Sequence, residues 1–108
     1  MDKTLRELCK SLDVKRRAVQ GYEKEGLVAA TGKTGRGRLL YNEAAQMRIA
    51  EIKRYQNYGF QVREISRVID ACPEIKKEEL TKKLIILKAE HREVNLIIKE
   101  LEEYINLL

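Results

Sequence analysis

Hydrogen-bond donors of one kind recur through a short stretch of the chain: Lys15, Arg16, Arg17, Gln20 and Lys24, then Lys33, Arg36 and Arg38 among closely spaced glycines. None of these side chains is a nucleophile or a general base at neutral pH. Guanidinium and ammonium groups suit phosphate, and Arg and Gln also pair with base edges in a major groove. Residues 14–38 carry seven Lys or Arg against two Glu. Such an excess favours a polyanionic partner, and double-stranded DNA is the expected one.

The elements that must position these donors are legible from local signals. Thr4-Leu5-Arg6-Glu7 fits a capping box, in which the threonine oxygen and the glutamate three residues on satisfy each other's backbone amides, so a helix is expected to start there. Leu5, Leu8, Cys9 and Leu12 form its apolar stripe, leaving Arg6, Glu7 and Lys10 for solvent. Asp13 is a residue type that tolerates left-handed backbone, which predicts a sharp turn at Asp13-Val14. A second helix over 15–25 then turns Val14, Ala18, Val19 and Tyr22 to the core and Arg16, Arg17, Gln20 and Lys24 outward. Gly21 inside it costs about 1 kcal/mol relative to alanine; it either permits close approach of backbone to DNA or is simply tolerated. Gly26 suits a C-cap, Leu27-Val28 reads as a short strand, 32–38 as a mobile turn and 39–41 as the returning strand. Helix, tight turn, basic helix and hairpin in that order predict a mostly α winged helix-turn-helix with a small β wing.

Downstream, Asn42 is placed to cap a helix running to about residue 57, with Ala45, Ile49 and Ile52 buried and Gly59 ending it. Phe60 is expected to plug the corner of a helical hairpin whose second arm carries Val62, Ile65, Val68, Ile69 and Cys72 at helical spacing, before Pro73 stops it and starts another. Arg48, Lys53, Arg54, Arg63 and Arg67 read equally as flanking phosphate contacts or as a solvated face.

In the last helix, Leu80, Leu84, Leu87, His91, Val94, Ile98, Leu101, Ile105 and Leu108 alternate in steps of four and three. That seam predicts a coiled-coil homodimer, since no second long helix is available to cover it. A parallel pair sets Lys83 near the partner's Lys88 and stacks His91 on its twin. An antiparallel pair crossing near Leu96 instead matches Leu84 with Leu108, His91 with Leu101 and Ile105 with Leu87, and brings Lys88 beside Glu102. Antiparallel is therefore the expected orientation. The division that follows is a DNA-binding domain over 1–72 and a dimerisation helix over 74–108.

Composition agrees. The net charge is +5 over 108 residues, but residues 1–70 hold 15 basic and 9 acidic groups whereas 71–108 hold 7 and 8. Basicity belongs to the front half. A hydrophobic fraction of 44% is that of a folded chain. No apolar run is long enough to cross a bilayer and Met1-Asp2-Lys3 does not open a signal peptide, so no membrane partner and a cytoplasmic address are expected.

Catalytic and metal chemistry lack their residues. The single histidine, His91, falls in the seam, and no phosphate-cradling glycine loop precedes a lysine and a serine or threonine. Cys9 lies on the apolar face of the first helix as a packing residue. Cys72 is the candidate redox thiol, though a core role is the simpler reading. No enzyme activity, cofactor or metal site is expected.

Val14, the run Arg17-Ala18-Val19-Gln20-Gly21-Tyr22-Glu23, Gly26-Leu27, Gly37-Arg38-Leu39-Leu40-Tyr41 and Gly59-Phe60-Gln61-Val62-Arg63-Glu64-Ile65 together resemble the mercury-resistance repressor-activator (MerR) family. The likeness covers about the first two thirds of the chain, as a short member with no evident effector domain. It implies that Arg17 and the wing contact DNA, that Tyr22 lies between core packing and backbone contact, that Tyr41 keeps its family role, and that the antiparallel pairing holds. It further implies a homodimer on a pseudo-palindromic promoter operator, distorting the DNA for RNA polymerase. Departures occur at Asp13, Lys15, Gln20 and Gly21, which replace a glycine, a capping serine, an arginine and a tyrosine, so a different operator is expected. The alternatives are a phage or excisionase-like architectural DNA-binding protein and a coiled-coil interaction adaptor.

Overall fold

Eight elements order the chain in a computed structural model describing residues 1–108. They are β1 (Lys3–Thr4), α1 (Leu5–Leu12), α2 (Arg16–Lys24), β2 (Gly32–Lys33), β3 (Leu39–Tyr41), α3 (Glu43–Asn57), α4 (Val62–Val68) and α5 (Pro73–Leu107). Two compact units result, Met1–Asp70 and Ala71–Leu108.

Helix starts follow the chemistry of the residues at their caps. The Thr4 hydroxyl accepts from the Glu7 amide at 3.3 Å while the Glu7 carboxylate accepts from the Thr4 amide at 3.0 Å, completing the capping box of α1. Asn42 caps α3 by accepting from the Ala45 amide at 2.9 Å. Pro73 is the first residue of α5, where its missing N–H costs nothing.

Three helix ends use one device. Asp13 (φ 51), Gly26 (φ 75) and Gly59 (φ 101) adopt left-handed backbone, and the next amide reaches five residues back: Val14 to Cys9 at 3.1 Å, Leu27 to Tyr22 at 3.0 Å, Phe60 to Tyr55 at 3.1 Å. This is the Schellman arrangement, which satisfies carbonyls that a helix end leaves orphaned. The expected turn at Asp13 is therefore present.

The sheet departs from expectation. Its strand order is β1-β3-β2, antiparallel, with Lys3 opposite Tyr41 and Gly32 opposite Leu40. Leu27-Val28 forms no strand, because the Leu27 amide is spent closing α2 and its carbonyl accepts from Arg48 Nε at 2.9 Å. Two residues ahead of α1 supply the third strand instead. The turn of the wing is shorter than 32–38 and is knotted on Thr34, whose hydroxyl accepts from the amides of Arg36 at 3.3 Å and Arg38 at 3.1 Å.

Leu8, Val19, Ile49, Ile52 and Ile65 are fully buried in the first unit. Each contributes about 1.5–3 kcal/mol by leaving water. Phe60 is buried with its ring 5.7 Å from that of Tyr55, filling the corner between α3 and α4. Helix α5 buries no residue.

Candidate nucleic-acid interface

Two elements carry the donors outward. Lys15, Arg16, Arg17, Gln20 and Lys24 are all exposed on or beside α2, and Lys33, Arg36 and Arg38 are exposed on the wing. Lys15 takes the N-cap position of α2 without a side-chain bond to the helix, since an ammonium cannot accept from the first-turn amides. A positive end of the helix dipole and a run of three cations thus coincide.

Two expected contact residues lie in the core. Tyr22 and Tyr41 are 1% and 0% exposed, and their hydroxyls donate to Gln56 and Glu23 respectively. Both rings are core residues with satisfied polar tips. Burial first, and then the Glu23 bond, push the Tyr41 phenol well above its ordinary value. Helical spacing already placed Tyr22 on the inner face; the partners, on α3 and within α2, are set by tertiary packing.

Two of the flanking cations belong to the architecture. Arg48 binds Asp70 through both terminal nitrogens, at 2.8 and 2.7 Å. Lys53 donates to the Leu12 carbonyl at 2.8 Å and to the Asp13 carbonyl, sealing the end of α1. Arg54, Arg63 and Arg67 remain exposed.

Arg16, Gln20 and Arg38 come together from α2 and the wing around a cavity of about 520 Å³ that Thr4, Leu5 and Arg6 also line. Arg6 was legible only as a solvent-facing residue of α1. Its meeting with Arg38 depends on β1 pairing with β3, which no local signal announces.

Gly21 occupies the middle of α2, and a Cβ built there meets nothing within 4 Å. Packing does not require a glycine at this position. The thiols differ in access: Cys9 is half-buried and Cys72 exposed. Burial pushes the Cys9 thiol up, opposed by the charge of Arg16. Of the seam positions, Leu80 is half-buried, whereas Leu84, Leu87, His91, Val94, Ile98, Leu101, Ile105 and Leu108 are exposed along α5. His91 lies 3.2 Å from Asn95 one turn on. No helix is long and apolar enough to cross a membrane.

A capped first helix, a tight turn, a basic outward-facing second helix and a flanking wing define a winged helix-turn-helix DNA-binding protein. A model of MerR HTH family regulatory proteins matches residues 3–72, and the chain belongs to this family of DNA-binding transcriptional regulators. No curated protein matches the chain. Solved structures share its fold. A MerR family transcriptional regulator from Bacillus cereus is 23% identical, with a TM-score of 0.80 over 95% of this chain and 79% of the other. The N-terminal part of MtaN, the Bacillus subtilis multidrug transporter activator, is 20% identical, with a TM-score of 0.75 over 95% and 97%. HiNmlR, a MerR family regulator lacking the sensor domain and bound to promoter DNA, is 20% identical, with a TM-score of 0.58 over 98% and 80%.

Proposed function

We propose that this regulator binds a pseudo-palindromic promoter operator as a homodimer and distorts the DNA between the half-sites. Each protomer inserts α2 into a major groove, with Arg17 and Gln20 toward the bases and Lys15, Arg16, Lys24 and the wing residues Lys33, Arg36 and Arg38 on phosphates. Gln20 and Gly21, where the family resemblance implies Arg and Tyr, set an operator of its own.

The observation that carries the dimer is the bare seam of α5. A helix of 35 residues reaches roughly 50 Å, and Leu84, Leu87, Val94, Ile98, Leu101 and Ile105 are 41–58% exposed along it. A second copy, running antiparallel, covers that stripe. The paired helices fix the distance between the two copies of α2, and a twofold protein requires a near-palindromic site. HiNmlR, solved on promoter DNA, supports a promoter as the target. Untwisting and bending there would let RNA polymerase engage, with specificity partly stored in DNA deformability.

Selection of bound duplexes from a random pool tests the reading directly. The expected winner is an inverted repeat whose affinity falls steeply with salt and is lowered by Arg17→Ala. With Cys9 and Cys72 replaced by serine, Leu84→Cys and Leu108→Cys in one chain should crosslink between protomers. A monomer in solution, or indifference to duplex DNA at low ionic strength, refutes the proposal.

A further inference from the structure

The cavity between α1, α2 and the wing gathers more positive charge than the fold itself uses. We propose that it seats one backbone phosphodiester of the bound duplex, with Arg6 a DNA-contacting residue beside Arg16 and Arg38. This rests on the reading of the chain as a duplex binder.

Arg6 in the first turn of α1, Arg16 opening α2 and Arg38 closing the wing turn line one cavity of about 520 Å³, joined by Gln20, and no carboxylate lines it. Cations that serve the architecture have protein partners here: Arg48 holds Asp70, and Lys53 holds two carbonyls. Arg6, Arg16 and Arg38 have no carboxylate partner. Like charges gathered without counter-ions repel one another, and an anion placed among them removes that cost. A guanidinium presents paired N–H donors that match phosphate oxygens, so three such forks make a seat for a phosphate group.

Continuity with the interface selects DNA as the source of the phosphate. The walls of the cavity are α2 and the wing, the two elements that present Arg17, Lys24, Lys33 and Arg36 to solvent. The contact carries no sequence information, because every nucleotide has the same phosphate.

Fluorescence anisotropy of a labelled duplex carrying the selected site, titrated with the full chain over a salt series, tests the seat. Arg6→Ala is expected to weaken binding roughly tenfold at physiological salt and to flatten the log K against log salt slope by about 0.9 per bound protomer. The loss should be equal on the selected site and on a scrambled duplex, and Arg6→Lys should recover most of the slope. Lys10→Ala, which removes the same charge from α1 outside the cavity, should leave the slope unchanged. Equal losses from Arg6→Ala and Lys10→Ala would reduce the effect to diffuse charge and overturn the inference. So would wild-type slope in Arg6→Ala, including the case where inorganic phosphate perturbs the NMR signals of the cavity residues. Failure of the unaltered protein to bind any duplex sinks the functional reading itself, a different result from normal binding that ignores Arg6.

Discussion

Arg48 of α3 grips Asp70 with both terminal nitrogens, at 2.8 and 2.7 Å, while its Nε donates to the Leu27 carbonyl at 2.9 Å. One guanidinium therefore joins α3 to the end of the α3–α4 hairpin and to the loop that leaves α2. Asp70 is 72% exposed, so solvent screens the ion pair, and the carbonyl bond matters more. Arg48→Ala should lower unfolding stability by about 1–2 kcal/mol in denaturant titration. Arg48→Lys should recover little, because an ammonium cannot serve the three acceptors with one planar fork. Full recovery by lysine would show that charge alone matters at this position.

Gly21 has open space above it, so Gly21→Ala separates folding from binding. The added methyl clashes with nothing and should stabilise α2 by about 1 kcal/mol. If DNA lies against the bare backbone there, the same variant binds its operator more weakly while melting at a higher temperature. Unchanged affinity in the stabilised variant would mark the glycine as merely tolerated.

Tyr41 is a core residue, and its hydroxyl donates to Glu23. Tyr41→Phe should cost about 1 kcal/mol of stability with little change in DNA affinity. A selective loss of affinity at full stability would instead establish a direct contact with DNA. Because burial and Glu23 raise the phenol pKa in the folded state, its contribution is complete below the ordinary value of 10 and is lost as pH rises beyond it. The alkaline limb of the stability profile should shift in Tyr41→Phe accordingly.

At the acid end, Glu7 is held below its ordinary value of 4.5 by the Thr4 amide first and the Thr4 hydroxyl second. A depressed carboxylate contributes stability above that pH and loses it as pH falls through the lower folded-state value. Glu7→Gln keeps a capping-box acceptor but cannot titrate. Melting curves below pH 4.5 should therefore fall less steeply with acid in Glu7→Gln than in the parent.

Cys72 is exposed and Cys9 half-buried, so a thiol reagent should label Cys72 first in the native protein and Cys9 only on opening of α1. The redox reading of Cys72 predicts in addition that peroxide alters operator affinity in the parent and not in Cys72→Ser. Identical responses of the two would dismiss it.

Local chemistry told most of this fold in advance. Thr4 and Glu7 announced α1, Asp13 its left-handed end, Asn42 the start of α3, Gly26 and Gly59 two further stops, and Pro73 the first turn of α5. Each of these signals acts within a turn or so of helix, a distance over which sequence neighbours are also spatial neighbours. The outward position of Arg16, Arg17 and Gln20 followed from helical periodicity for the same reason.

Contacts between residues far apart in sequence were decided only by the tertiary structure. Nothing near Lys3 says that it will pair with Tyr41, nothing near Leu27 says that Arg48 will claim its carbonyl and keep it out of the sheet, and nothing near Tyr22 names Gln56 as its acceptor. Periodicity distinguishes inside from outside, but two outward residues on different elements meet only when the core beneath them is packed. That is why the residue types spoke for DNA, while the gathering of Arg6, Arg16 and Arg38 around one cavity, and the withdrawal of Tyr22 and Tyr41 from the surface, had to await the fold.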